Sequence, residues 1–329
     1  MPFRLRLTVI FFALLLLSAV TVPLLIPIPE LETVPVRELA GDTGAFEEVR
    51  GVQLFYREVG SAASGEHPTL VLLHGFGGST FSWRGVLNPL GETARVVAFD
   101  RPGFGYSARP VVADALNPYT PPAQLELTLG LLDALGIQRA VLVGSSSGGA
   151  LAVQFALSYP ERVAGLVLVS PVLQSRGARA PLRWLYGTPQ AVRMGPYVMR
   201  QFAEEPGLEL LRRAYADPSR LTDADIAGYR RPLRADNWDG ALWEVTKASR
   251  RSDLLPRLAE LDVPTLVVGG AGDTLLPPEQ LEAVASRIPD AELQVLEECG
   301  HTSHEECPDA FLATVIPWLD TLPAAPTGD

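Results

Sequence analysis

The sequence is poor in cysteine, in histidine and in positive charge. Its 329 residues include two cysteines and four histidines, so a disulfide scaffold is excluded. The formal net charge is −11, which argues against a nucleic-acid partner, because binding phosphate requires clustered Lys and Arg. The chain also lacks internal repeats and low-complexity tracts. The sequence as a whole is 47% hydrophobic and 20% charged, as expected for one large or two small globular domains.

The N-terminus carries one long uncharged run over residues 7–25, preceded by Arg4 and Arg6. About 20 apolar residues suffice to span a bilayer as a helix, and arginines on the N-terminal side favour a cytoplasmic N-terminus. We therefore predict a signal anchor over residues 1–28, with the rest of the chain on the extracytoplasmic side of the membrane. The alternative is a cleaved signal peptide and a secreted or periplasmic protein, although residues 17–19 match a cleavage site poorly.

After a Pro-rich linker (29–44), predicted strands and helices alternate from 45 to 320, and a frayed tail is expected over 321–329. Residues 46–49 and 52–56 flank Arg50-Gly51 and predict a β-hairpin. Six apolar segments predict buried strands: residues 69–73, 95–99, 140–143, 163–169, 263–268 and 293–296. This alternation indicates an α/β fold with a mostly parallel sheet and helices on both faces, and ligands bind at the carboxyl ends of such strands.

The segment from about 171 to 250 interrupts the alternation and predicts a helical cap inserted over the site. Its basic residues outnumber its acidic ones, which would suit anionic lipid headgroups but is also typical of a solvated helical surface. Its large side chains either line a pocket or serve packing: Trp184, Tyr186, Met194, Tyr197, Trp238 and Trp243. No motif in this segment indicates the substrate.

The most informative motif is Gly144-Ser145-Ser146-Ser147-Gly148, between a predicted strand and a predicted helix. A strand–G-x-S-x-G–helix arrangement places a nucleophilic serine in a strained turn, where neighbouring chain passes too close for side chains at the glycine positions. Only Ser146 has glycine at both required offsets. The alternative is an ordinary Ser- and Gly-rich loop.

A serine nucleophile needs a base within hydrogen-bond reach and an acid that orients the base. Asp273 follows a predicted strand on a Gly-rich loop, and His301 follows the last predicted strand, so the order is Ser, Asp, His. We therefore predict Ser146, Asp273 and His301 as a catalytic triad. The competing base is His304; among other acids, Asp100 lies too early in the chain and Asp262 lies at the wrong end of its strand.

The segment His74-Gly75-Phe76-Gly77-Gly78 also follows a predicted strand. Acyl transfer requires donors for the developing oxyanion, usually two backbone N–H groups. We predict the Phe76 and Ser147 N–H groups for this role, with His74 bracing the loop. A phosphate-binding loop is the alternative, but no G-K-[ST] follows. No metal or cofactor is expected.

These motifs together resemble the α/β-hydrolase superfamily over about residues 45–320. The resemblance rests on the loop at 74–78, the DRPGFGYS segment at 100–107, the elbow at 144–148, and the loops ending at Asp273 and His301. It implies that haloalkane dehalogenase and epoxide hydrolase activities are excluded, since those members carry aspartate at the elbow. The cap between strands also matches the family, and the N-terminal anchor together with this triad resembles membrane-bound monoacylglycerol-lipase-type members.

For function, the resemblance implies a serine hydrolase of carboxylic esters, with small acyl or lipid esters as substrates. A carbon–carbon bond hydrolase of ring-cleavage products, which uses the same triad, is the first alternative. A non-catalytic receptor or accessory protein of the same fold is the second. The resemblance further implies that Cys299 and Cys307 are free thiols, since members often carry an unpaired cysteine before the Gly-His pair, although an exported domain permits a disulfide.

Overall fold

The computed structural model describes residues 3–61, 67–112, 117–175, 180–249 and 252–323. Most of the predicted tail, residues 324–329, therefore lies outside the described residues. Between the linker and this tail, strands and helices alternate as the sequence predicts, apart from one helical insertion.

An eight-stranded sheet forms the centre of the molecule, in the order β1-β2-β4-β3-β5-β6-β9-β10. Its strands are β1 (Ala45–Val49), β2 (Val52–Val59), β3 (Thr69–Leu73), β4 (Val96–Phe99), β5 (Ala140–Ser145), β6 (Val163–Val169), β9 (Thr265–Gly270) and β10 (Glu292–Leu296). The β1–β2 hairpin is antiparallel, β2 pairs antiparallel with β4, and the remaining pairs are parallel. The predicted mostly parallel sheet is thus confirmed.

Helices cover both faces of this sheet, because alternate strand residues point to opposite sides. Val71 and Leu73 pack in one buried cluster with α4, α5 and α10, whereas Leu70 and Leu72 pack in a second with α3 and α12. These helices are α3 (Leu87–Gly91), α4 (Pro121–Ala134), α5 (Ser147–Ser158), α10 (Pro278–Ala285) and α12 (Pro308–Leu319). A short helix, α11 (Ser303–Glu306), precedes α12.

The helical insertion lies between β6 and β9, two neighbouring strands of the sheet. It contains α6 (Pro189–Ala203), α7 (Glu205–Arg213), α8 (Asp223–Arg230) and α9 (Trp238–Ala248). At its base, β7 (Gln174–Ser175) pairs antiparallel with β8 (Ser252–Asp253). We refer to the described part of residues 171–250 as the cap.

The N-terminal run forms one helix, α1 (Phe3–Leu25), with no buried residue. It is the one helix in the described part of the chain that is long and apolar enough to cross a membrane. The linker behind it includes a short helix, α2 (Val36–Ala40), and lies against the cap. Arg193 of the cap donates to the Ile26 carbonyl at 2.7 Å and Arg231 to the Leu39 carbonyl at 2.7 Å.

Cys299 and Cys307 form a disulfide, so the prediction of two free thiols is wrong. The loop after β10 and the short helix α11 turn the chain back, which brings the two Cα atoms to 6.0 Å. This separation is typical of a bridged pair. Sequence spacing does not reveal such a turn, because it depends on where α11 packs.

Candidate active site

Ser146 occupies a strained turn between β5 and α5. Its φ and ψ are 53° and −115°, a conformation that non-glycine residues adopt only where surrounding contacts enforce it. A Cβ at Gly148 would lie 2.0 Å from the Leu73 carbonyl oxygen, and one at Gly144 would lie 2.6 Å from that of Gly148. Both glycines of the motif are therefore required by close passage of the backbone.

Asp273 and His301 form a buried hydrogen-bonded pair across the ends of β9 and β10. The His301 Nδ1 atom lies 2.8 Å from Asp273 Oδ2. The other carboxylate oxygen accepts the backbone N–H groups of Leu275 and Leu276, each at 2.8 Å. These bonds fix the carboxylate, which holds Nδ1 and leaves Nε2 of the ring as the free nitrogen.

Ser146 and His301 line the same cavity, whose volume is about 300 Å³. Strands β5 and β10 therefore bring together two residues that are far apart in the sequence. Most of the cavity wall is apolar, and much of it comes from the cap: Phe202, Leu208, Leu211, Ile226, Leu233 and Leu242. The six large cap side chains singled out from the sequence do not line this cavity within the described residues, and Trp184 is 68% exposed.

The loop at 74–78 passes directly beside the elbow. A Cβ at Gly75 would lie 3.2 Å from the Cβ of Ser146, and Phe76 lines the cavity. The Phe76 and Ser147 N–H groups donate no hydrogen bond to any acceptor in the described part of the chain. Both predicted oxyanion donors thus lie in segments that adjoin Ser146, and both are free to bind a ligand.

His304, the competing base, lines the cavity but has no carboxylate in hydrogen-bond contact. Its nearest carboxylate atom, Oε1 of Glu305, is 3.8 Å from Nε2, and neither ring nitrogen has a hydrogen-bond partner among the described residues. The ring packs against Trp83, with the ring centroids 4.3 Å apart and the two planes inclined by 37°. Burial lowers the pKa of His304 to about 3, so the ring is neutral at physiological pH.

Asp100, one of the competing acids, binds backbone N–H groups and does not orient a histidine. Its two carboxylate oxygens accept the backbone N–H groups of Thr80 and Tyr106, each at 2.6 Å. Burial raises the pKa of Asp100 to about 6.

A polar cluster between cap and core was not foreseen from the sequence. Arg84 lies 2.6 Å from Glu305 and 2.8 Å from Asp225 of the cap, and Tyr229 of the cap donates to Glu305 at 2.5 Å. Ser82, Tyr229 and Glu305 line the polar part of the cavity. Burial raises the pKa of Glu305. The sequence gives no signal for this cluster, because it joins three segments of the chain that are more than 70 residues apart.

A model of the alpha/beta hydrolase fold matches residues 68–308. The chain belongs to the α/β-hydrolase family. It is 31% identical over 283 residues, 82% of this chain and 93% of the relative, to 2-hydroxy-6-oxo-6-phenylhexa-2,4-dienoate hydrolase of Burkholderia cepacia. The fold and the family inferred from the sequence motifs are thereby confirmed, and the protein is a hydrolase.

Two solved structures resemble this chain, and they cover different shares of it. A meta-cleavage product hydrolase of Pseudomonas fluorescens superposes with a TM-score of 0.64 at 26% identity, covering 84% of this chain and 98% of that one. A membrane phospholipase A superposes with a TM-score of 0.66 at 27% identity, covering 96% of this chain and 94% of that one. The names of the curated relatives favour carbon–carbon hydrolysis, the first alternative above, over the ester reading.

Proposed function

We propose that this α/β-hydrolase cleaves carboxylic esters of long acyl chains, with Ser146 as the nucleophile. The observation that carries the proposal is that Ser146 and His301, which is hydrogen-bonded to Asp273, both line a mostly apolar cavity. An acyl chain matches such a wall, since transfer of each CH₂ from water into an apolar site contributes about 0.8 kcal/mol.

The reaction follows from the roles of three side chains. His301 Nε2 takes the hydroxyl proton of Ser146 while Oγ attacks the acyl carbon, and the Phe76 and Ser147 N–H groups bind the oxyanion. Asp273 stabilises the imidazolium. The bond to the alcohol oxygen then breaks, and His301 gives its proton to the departing alcohol. A water molecule, deprotonated by His301, releases the carboxylic acid and restores Ser146.

The charges around the cavity favour a neutral acyl group over an anionic one. Arg230 is the one Arg or Lys that lines the cavity among the described residues; its side chain is 48% exposed and lies 3.9 Å from Glu204. The cavity also contains the buried carboxyl group of Glu305. A carboxylate-bearing dienoate would therefore meet little compensating positive charge inside the cavity.

The N-terminal helix supports a lipid ester as the substrate. The match to membrane phospholipase A covers 96% of this chain, against 84% for the meta-cleavage product hydrolase, so more of this chain has a counterpart there. We propose that α1 is a signal anchor that holds the catalytic domain at the extracytoplasmic membrane surface. Release by signal cleavage is the alternative, and a mass measurement of the N-terminus in the membrane fraction distinguishes the two.

Carbon–carbon bond hydrolysis is the second candidate, and the names of the curated relatives favour it. Several of these relatives are 2-hydroxy-6-oxo-dienoate hydrolases at 28–31% identity. The same nucleophile, base and acid serve both reactions, so the substrate decides between them.

One pair of assays tests both candidates on the same preparation. We expect the full-length protein to hydrolyse p-nitrophenyl decanoate faster than p-nitrophenyl acetate, and to leave 2-hydroxy-6-oxo-6-phenylhexa-2,4-dienoate intact. Ser146→Ala removes the activity. Preferential cleavage of the dienoate would overturn the ester proposal in favour of the second candidate. Absence of both activities, together with no Ser146-dependent labelling by a fluorophosphonate, would favour the non-catalytic alternative.

The cap wall offers a matched test of acyl selection. Leu208 lines the cavity, whereas Leu185 lies on the cap surface, 41% exposed. We expect Leu208→Trp to lower the rate on decanoate more than on acetate, because the added ring volume fills the aliphatic part of the cavity. Leu185→Trp serves as the control and should keep the wild-type ratio of the two rates.

A further inference from the structure

A buried arginine, Arg101, touches both segments that supply the predicted oxyanion donors. Its Nη2 atom donates to the Gly75 carbonyl oxygen at 3.1 Å and to Ser147 Oγ at 3.0 Å. Its Nη1 atom donates to Gln124 Oε1 at 3.3 Å. Only 5% of Arg101 is exposed. The guanidinium group therefore joins the loop at 74–78 to the first turn of α5, which begins at the residue after Ser146.

Arg101 lacks a carboxylate partner within 4.0 Å among the residues that the structure describes. A buried charge without a counterion is costly, and burial lowers the pKa of Arg101 to about 10. The group nevertheless remains a cation at neutral pH. A fold that only needed a brace at this position would be served by a neutral side chain at lower cost.

The carbonyl that Arg101 binds belongs to the same peptide unit as a predicted oxyanion donor. Gly75 C=O and Phe76 N–H are the two ends of one peptide bond, and a donor on the oxygen draws electrons from the nitrogen end. Hydrogen bonds in such a chain strengthen one another.

His74 acts on the same carbonyl. Its Nε2 accepts the Arg101 backbone N–H at 3.0 Å, which places the ring proton on Nδ1. That nitrogen then donates to the Gly75 oxygen at 2.7 Å. Gly75 C=O thus accepts three donors, since the Gly78 N–H also reaches it at 3.3 Å. Of these donors, only the Arg101 guanidinium is charged.

We propose that Arg101 is a positioning residue that polarises the Gly75–Phe76 peptide and places an uncompensated positive charge behind the oxyanion site. The inference rests on the proposed Ser146 chemistry and adds to it. The charge favours the tetrahedral oxyanion over the neutral substrate, because the attraction exists only when the oxygen is negative. Arg101 therefore acts on kcat, not on KM.

The test compares Arg101→Met with Arg109→Met. Arg109 is a second buried arginine on the same loop, 8% exposed, and it donates to the carbonyls of Ser107 and Pro232 but to no residue of the loop at 74–78. Both variants lose a buried cation, so their losses in thermal stability are similar. We expect Arg101→Met to lower kcat by about 10- to 100-fold with KM changed by less than about 3-fold, and Arg109→Met to leave kcat near the wild-type value.

A second readout is independent of the substrate class. An alkyl trifluoromethyl ketone forms a tetrahedral adduct with a nucleophilic serine that carries the negative oxygen. Its affinity should fall in Arg101→Met by the same factor as kcat and stay unchanged in Arg109→Met. An Arg101→Met enzyme with wild-type kcat and wild-type ketone affinity overturns the inference, while leaving the Ser146 proposal intact. Loss of activity in Ser146→Ala is the separate test of that proposal.

If the Arg101→Met variant does not fold, the Arg101→Lys variant tests the same inference. The ammonium group keeps the charge but does not reproduce the planar fork that reaches Gly75 and Ser147 at once. We expect a kcat reduced by about 3- to 10-fold at wild-type KM. Wild-type kcat and ketone affinity in Arg101→Lys would overturn the role of the two directed hydrogen bonds.

Discussion

Arg84 of the core lies 2.8 Å from Asp225 of the cap, and this ion pair fastens the cap over the cavity. The same guanidinium group lies 2.6 Å from Glu305, whose side chain is 1% exposed. One cation therefore bridges a carboxylate of the cap and a carboxylate of the core.

Removing that cation should be costly. In Arg84→Met the Glu305 carboxylate stays buried without its cation, a situation that costs about 3–5 kcal/mol. We expect a large decrease in the melting temperature, and a raised KM for esters because the cap wall shifts. As the control, Arg257→Met breaks an exposed ion pair with Glu260 and should leave the melting temperature unchanged, since exposed pairs contribute little. Equal melting temperatures in the two variants would contradict the role of Arg84 in holding the cap to the core.

The elbow should not tolerate a methyl group at Gly148. The Cβ of Gly148→Ala would approach the Leu73 carbonyl oxygen to 2.0 Å, and this oxygen belongs to a central strand that has no room to move. We expect loss of folded protein or of all esterase activity. Gly187→Ala is the matched control, because a Cβ there meets nothing within 4 Å. Soluble, active Gly148→Ala protein would show that the backbone does not pass as closely as described.

The Cys299–Cys307 bridge predicts that the purified protein has no titratable thiol. Unfolding without reductant should expose none, and unfolding after reduction should expose two. Cys307→Ser is expected to lower the free energy of unfolding by about 2 kcal/mol, as the loop between the cysteines is short. Two thiols in the unreduced, unfolded protein would restore the free-thiol prediction.

His304 should make the protein less stable in acid. Burial lowers its pKa from 6.5 to about 3, so below pH 6.5 the unfolded chain binds a proton that the folded protein does not. The resulting loss of stability is about 1.4 kcal/mol for each pH unit as the pH falls from 6.5 towards 3.

The substitution His304→Phe removes the contribution of His304 to the loss of stability in acid, and it keeps a ring against Trp83. Because neither nitrogen of His304 has a partner in the described residues, the substitution breaks no hydrogen bond. Urea unfolding at pH 7 and pH 5 measures the effect: the stability difference between the two pH values should shrink by about 2 kcal/mol in the variant. An unchanged difference would mean that His304 is protonated in the folded state.

The centre of the sheet was predictable because its central strands contain continuous apolar runs. The hypotheses for β3 and β6 agree with the observed bounds, and that for β5 ended two residues early, since Gly144 and Ser145 complete the strand. Helix α12 continues through the exposed Pro317 to Leu319.

The contacts of the cap with the core, and those of Arg101 near the site, could not be predicted from apolar runs. The Arg84–Asp225 contact joins residues 141 positions apart, and no local pattern specifies which cap residue meets which core residue. Arg101 belongs to a segment noted only for its family likeness. Its contact with Gly75 depends on how the β3 and β4 loops meet at the end of the sheet, which propensity does not encode.

The ribbon of β7 and β8 gives the cap a narrow neck. The chain leaves the core at Gln174–Ser175 and returns beside it at Ser252–Asp253, between two strands that are already neighbours in the sheet. Strands β6 and β9 thus pair directly with each other, and the helices of the cap take no part in this pairing. We therefore expect that a different cap joined at this neck would leave the pairing of the central sheet unchanged.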